Sequence, residues 1–135
     1  MTTNRTILIV EDETDLAQAC VRLLLRRGWQ AVAVQTRAAG LGALRDRPAL
    51  AIVDRRLPDG DGLDVLQAAA DAGTPTIMVS SHDWAETRRR ALDSGAAGFL
   101  GKPFGAEALL GLIDAILGPP PGAPADAPSR RPLAC

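Results

Sequence analysis

Five short apolar runs, each followed by a stretch with helical periodicity, constrain this chain more than any other feature of it. The runs are Thr6 to Val10, Ala31 to Val34, Leu50 to Val53, Pro75 to Val79 and Ala97 to Leu100. None alternates apolar with polar residues. A strand that is apolar throughout has both faces covered, and such strands belong to parallel sheets. The stretches between them read as helices. Asp15–Arg27 carries Leu16, Cys20, Leu23 and Leu24 on one face, Thr36–Arg47 is ended by Pro48, and Leu63–Ala72 and Trp84–Ser94 follow. Gly105–Leu117 places Leu109, Leu112, Ile113 and Ile116 on its apolar face. Thr14 is a candidate N-cap, and Gly28, Gly73 and Gly95 fall where helices would stop. Five such units predict an α/β fold, a doubly wound five-stranded parallel sheet with five helices.

The chain has 135 residues, 47% of them hydrophobic, which suits one folded domain. That domain is expected over residues 1–117; 118–135, rich in Pro, Ala and Gly, reads as a disordered tail or a linker. A net charge of −1 argues against direct nucleic-acid binding. No apolar run approaches the ~20 residues of a membrane span. The polar start Met1–Arg5 and the short run Ile7–Val10 do not make a signal-peptide core, so the expected location is cytoplasmic. Cys20 reads as a small core residue, Cys135 ends the chain, and no Cys/His metal pattern is present.

Ligands of an open parallel sheet bind beyond the carboxyl ends of its strands. The residues there are Glu11 and Asp12 after the first strand, Asp54 after the third, Ser80 and Ser81 after the fourth, and Lys102 and Pro103 after the fifth. Converging carboxylates repel one another and call for a cation, and all-oxygen ligation suits Mg²⁺. A metal and an ammonium on either side of Asp54 would neutralise the oxygens of a phosphoryl group during in-line transfer. Asp54 would be the nucleophile and carry an acyl phosphate. Ser80, which follows its strand directly, is preferred over Ser81 as the hydroxyl that meets a phosphoryl oxygen.

The run Ile-Leu-Ile-Val-Glu-Asp-Glu (7–13), Asp54-Arg-Arg-Leu-Pro-Asp-Gly-Asp-Gly62, Met-Val-Ser-Ser (78–81) and Gly-Phe-Leu-Gly-Lys-Pro-Phe (98–104) resemble the receiver domains of bacterial response regulators, over roughly residues 5 to 117. The resemblance implies a flavodoxin-like strand order 2-1-3-4-5. It makes Asp54 the phosphoacceptor and Asp12 a direct Mg²⁺ ligand, with Glu11 acting through water and Arg56 through its backbone carbonyl. Lys102 becomes the phosphoryl-binding lysine, followed by Pro103 through what is often a cis bond. Ser80 and Phe99 become the switch pair. It further implies a sensor histidine kinase or phosphotransfer protein as phosphodonor. A downstream protein partner would bind the surface of the fourth helix, fifth strand and fifth helix, and a homodimer is possible. The chain would not be an enzyme beyond accepting and losing its own phosphoryl group.

Arg56 and His82 each lie two residues beyond a site residue, and the resemblance implies that these positions flank the phosphoryl group and tune the attacking water. Asp59, Asp61 and Asp64 read as turn residues bonded to local backbone. Arg88-Arg89-Arg90 reads as a solvated helix face, with a partner contact as the alternative, and Trp84 as an exposed anchor or a packed ring. The winged-helix branch of the family carries an Arg in a dimer salt bridge where this chain has Leu109-Leu-Gly-Leu-Ile113, which would suit a more apolar dimer or a protein partner. Two other classes remain open. An aspartyl-phosphate hydrolase would need an Asp where Arg56 stands. A phosphorylation-independent interaction module would need a broken pocket, and every pocket position here is chemically competent. A further alternative is the receiver part of a larger DNA-binding or enzyme-output regulator.

Overall fold

The computed structural model describes residues 5–120. Its elements are β1 (Thr6–Val10), α1 (Thr14–Arg26), β2 (Gln30–Val34), α2 (Arg37–Ala43), β3 (Leu50–Asp54), α3 (Gly62–Asp71), β4 (Thr76–Ser80), α4 (Trp84–Asp93), β5 (Gly98–Gly101) and α5 (Ala106–Leu117). The strands form one parallel sheet in the order β2-β1-β3-β4-β5. This is the doubly wound, flavodoxin-like arrangement expected from the sequence. Cys135 and nearly all of the expected tail lie outside the described residues.

The two-residue period of a strand divides its apolar side chains between two cores. Ile7, Ile9, Leu50, Ile52, Ile77 and Val79 face Ala17, Cys20 and Leu24 of α1 and Leu109 and Ile113 of α5. Leu8, Val10, Ala51, Val53 and Met78 face Val65, Leu66 and Ala69 of α3 and Ala91 of α4. Both faces being covered explains why the central runs contain no polar alternation. Each fully buried Leu or Ile contributes roughly 1.5–3 kcal/mol. Cys20 is buried in the first core, which pushes its thiol pKa up.

Several local details differ from the sequence reading. α1 starts at Thr14, so the cap position falls on Glu13, whose side chain makes no capping bond. α2 stops at Ala43 and passes into a 3₁₀ turn, Leu44–Asp46. Two glycines, Gly40 and Gly42, weaken that helix, and Arg47 turns left-handed before Pro48. Ser80 is the last residue of β4 rather than the first beyond it. In the segment after β3, Arg56–Leu57 pairs antiparallel with Gly60–Asp61. On α5, Leu109 and Ile113 are buried in the protein's own core and Leu112 packs against it. Leu109 and Ile113 are therefore taken up by the core, while Leu110 and Leu112 stay half-buried and Gly111 exposed on the same helix.

Candidate functional site

The hydrogen-bond ladder runs one residue past the strands at the rim where the site lies. The Glu11 N–H donates to the Val34 carbonyl at 2.9 Å, the Arg55 N–H to Val79 at 2.8 Å, and the Lys102 N–H to Ser80 at 2.8 Å. The backbone on which the candidate side chains stand is thus pinned to neighbouring strands. Glycine at position 62 brings the start of α3 against β3: a Cβ there would run into the Asp54 carbonyl oxygen. The Gly62 N–H donates to the Arg55 carbonyl at 2.7 Å, which closes the intervening loop.

Asp54 and Glu11 are buried at the centre of the rim, and Asp12 is exposed beside them. One oxygen from each of these three carboxylates lies within 4.8 Å of the others. An all-oxygen set of this kind can hold a hard divalent cation. Lys102 reaches into the same cluster, its side chain only 9% exposed. Its Nζ lies 2.8 Å from Glu11 Oε1, 2.8 Å from Glu13 Oε1 and 3.1 Å from Asp54 Oδ2. Burial opposes the Lys102 charge, but hydrogen bonds to Glu11 and Glu13 and the charge of Asp54 outweigh it and hold the ammonium above the ordinary lysine range. Burial likewise pushes the Glu11 carboxyl up to about 7, against the pull of Lys102 and of the Glu13 N–H. The Lys102–Pro103 peptide is cis.

The remaining expected residues surround this centre. The Arg56 N–H donates to Asp54 Oδ1 at 3.3 Å, while its side chain is exposed. The buried Ser80 hydroxyl is turned to the backbone of His82. It donates to the His82 carbonyl at 2.8 Å and accepts from the His82 N–H at 3.2 Å. His82 is exposed, and Phe99 is half-buried against the core beneath α3 and α4. Trp84, 49% exposed, lays its indole over Gly101, so both readings of that residue hold in part. Arg88, Arg89 and Arg90 are all exposed, and Arg90 comes within 3.8 Å of Glu86.

The geometry also exposes residues that the sequence reading missed or placed too locally. Arg55 binds Asp61 with two nitrogens, at 2.9 and 3.2 Å, and donates to Thr87 Oγ1 of α4 at 3.0 Å. Asp61 bonds locally to the Leu63 N–H as well, as expected of a turn residue. Asp59 reaches further: its carboxylate accepts the Arg37 and Ala38 N–H groups at the start of α2, at 2.6 and 3.0 Å. Asp64 pairs with Arg37 at 2.7 Å. The only local signal for these contacts was a run of acids in a turn; apart from Arg55–Asp61, six residues apart, the partners are 21 to 32 residues away.

The family model for the response regulator receiver domain matches residues 7–114. The chain belongs to that family. Receiver domains are not enzymes in the ordinary sense, and this one is homologous to two-component response regulators. This receiver is 38% identical over 113 residues to the transcriptional regulatory protein HprR of Escherichia coli, covering 82% of this chain and 51% of HprR. It is 32% identical over 134 residues to the photosynthetic apparatus regulatory protein RegA of Rhodobacter capsulatus, covering 95% of this chain and 73% of RegA. A crystal structure of the signal receiver domain of a LuxO-type repressor protein from Vibrio parahaemolyticus superposes with a TM-score of 0.78 at 28% identity, covering 84% of this chain and 89% of that one. The receiver spans about half the length of relatives such as HprR. No helix among the described residues is long and apolar enough to cross a membrane.

Proposed function

We propose that residues 1–117 form a cytoplasmic phosphorylation switch that takes a phosphoryl group onto Asp54 from the phosphohistidine of a sensor histidine kinase or phosphotransfer protein. One observation carries this reading: a buried Asp54 carboxylate lies 3.1 Å from the Lys102 ammonium and clusters with two further carboxylates able to hold a cation. An Asp54 oxygen forms the bond to phosphorus as the phosphorus–nitrogen bond breaks and its electron pair leaves with the imidazole. Lys102 holds a phosphoryl oxygen. Glu11, Asp12, Asp54 and the Arg56 carbonyl would hold Mg²⁺, which when bound neutralises charge on the transferring group.

The switch then works through Ser80. To reach a phosphoryl oxygen its hydroxyl gives up both bonds to His82, and Phe99 turns into the space left behind. The α4 surface changes with them, and a protein partner or second copy that prefers the changed surface shifts the equilibrium by its differential affinity. Arg56 and His82 flank the entry path of water. Residues 118–135 act as a tail or linker beyond the switch.

The test is intact mass after incubation with acetyl phosphate. Gain of one phosphoryl group that needs Mg²⁺ and is absent in Asp54→Ala supports the reading. No adduct, together with no beryllofluoride-dependent change in Trp84 fluorescence, would replace it with a phosphorylation-independent binding module. Decay of the adduct in Arg56→Ala and His82→Ala tests the tuning role, and unchanged rates in both would dismiss it.

A further inference from the structure

We propose that Glu13 is a placeholder for the incoming phosphoryl group, a carboxylate that occupies Lys102 until a phosphoryl oxygen displaces it. The inference rests on the reading of Asp54 as phosphoacceptor. A lysine ammonium has three N–H donors. Three carboxylate oxygens lie around Lys102 Nζ at 2.8, 2.8 and 3.1 Å, so its donor capacity is filled. A phosphoryl oxygen can bind that nitrogen only if one of the three lets go.

The three are not equally held. Asp54 is the acceptor and stays. Glu11 is buried, and its second oxygen accepts the Glu13 N–H at 3.0 Å, which ties it in place. The Glu13 side chain is 62% exposed, and its bond to Lys102 is its one side-chain hydrogen bond among those between described residues. It also has somewhere to go. Glu13 occupies the cap position of α1 without using its carboxylate as a cap, and a carboxylate swung off Lys102 remains at the positive end of that helix. Glu13 is therefore the ligand that leaves, and it acts as a positioning residue: it keeps Lys102 aimed at Asp54 and competes with every anion that needs the same ammonium.

The experiment is a titration with beryllofluoride and Mg²⁺, followed by ¹⁹F NMR of the bound fluoride, on wild type, Glu13→Gln, Lys102→Met and the double variant. Glu13→Gln is expected to bind beryllofluoride about two- to five-fold more tightly, the range for a largely exposed ion pair. That gain is expected to vanish in the Lys102→Met background, because competition for the ammonium has been removed. A gain that persists undiminished without Lys102 would assign the effect to overall charge and overturn the placeholder. Wild type and Glu13→Gln binding with equal affinity would also overturn it, while leaving the phosphoacceptor reading in place. No bound-fluoride signal in either protein would refute both.

Discussion

Replacing Arg55 by methionine keeps most of the stem but removes the guanidinium that ties the loop after Asp54 to α4. Two losses follow. Thr87 is buried, and Arg55 is the donor to its hydroxyl oxygen at 3.0 Å. Leaving a buried polar group without its partner costs about 1–3 kcal/mol. The bidentate contact to Asp61 is worth less, because Asp61 is 43% exposed, and pairs of that kind contribute up to about 1 kcal/mol. Arg55→Met should therefore lower stability by about 2 kcal/mol. Thr87→Val alone should cost less than about 1 kcal/mol, because Arg55 lies near enough to the surface to find water. The double variant should recover about 1 kcal/mol relative to the sum of the single changes, since no orphaned hydroxyl remains. Urea unfolding of the four proteins at constant m-value measures these differences. Faster amide exchange in the first turns of α4 in Arg55→Met should accompany them. Strictly additive costs, or an Arg55→Met variant as stable as wild type, would refute the clasp as an energetic link between the phosphoacceptor loop and α4.

Gly62→Ala should destabilise by about 3 kcal/mol and abolish phosphorylation by acetyl phosphate, since the new methyl meets the Asp54 backbone; chemical denaturation and intact mass check both, and a stable, reactive variant contradicts the packing. Gly101→Ala should instead push the half-exposed indole of Trp84 outward at a cost below about 1 kcal/mol, seen as a red shift in emission over the constant signal of buried Trp29. Hydrogen bonds from the Ala38 and Arg37 N–H groups hold the Asp59 carboxyl below its ordinary pKa of 3.8. For Asp61, burial acts upward, but Arg55 and the Leu63 N–H overcome it and hold that carboxyl below the same value. A folded pKa below the unfolded one favours the folded state above the unfolded pKa and ceases to do so as pH falls through the folded pKa. The stability gap between wild type and Asp59→Asn or Asp61→Asn should thus be full at neutral pH and close below about pH 4; melting temperatures measured across that range should show it, and a gap independent of pH would count against the capping contacts.

The sheet and the rim chemistry were legible because they depend on local pattern. A central parallel strand is apolar at every position, so β1, β3 and β4 announced themselves, and Glu11, Asp12, Asp54 and Lys102 stand where those runs and the fifth one stop. What stayed hidden depends on partners far along the chain. Glu13 looked like one more acid after Asp12; its meaning comes from Lys102, 89 residues later. Asp59 has the composition of a turn residue, yet it caps α2 22 residues earlier in the chain. The direction of the Ser80 hydroxyl follows from the path of the β4–α4 loop, which no periodicity encodes. The early end of α2 follows from the low helix propensity of Gly40 and Gly42, which acts before Pro48 is reached.

The most direct test of Asp54 as the phosphoacceptor is chemical trapping. Protein treated with Mg²⁺ and acetyl phosphate is reduced with borohydride, which converts an acyl phosphate to an alcohol, and the modified residue is located by tandem mass spectrometry. Homoserine at position 54, dependent on Mg²⁺, is the expected result. Modification at Asp12, Asp59 or another carboxylate with position 54 untouched would contradict it.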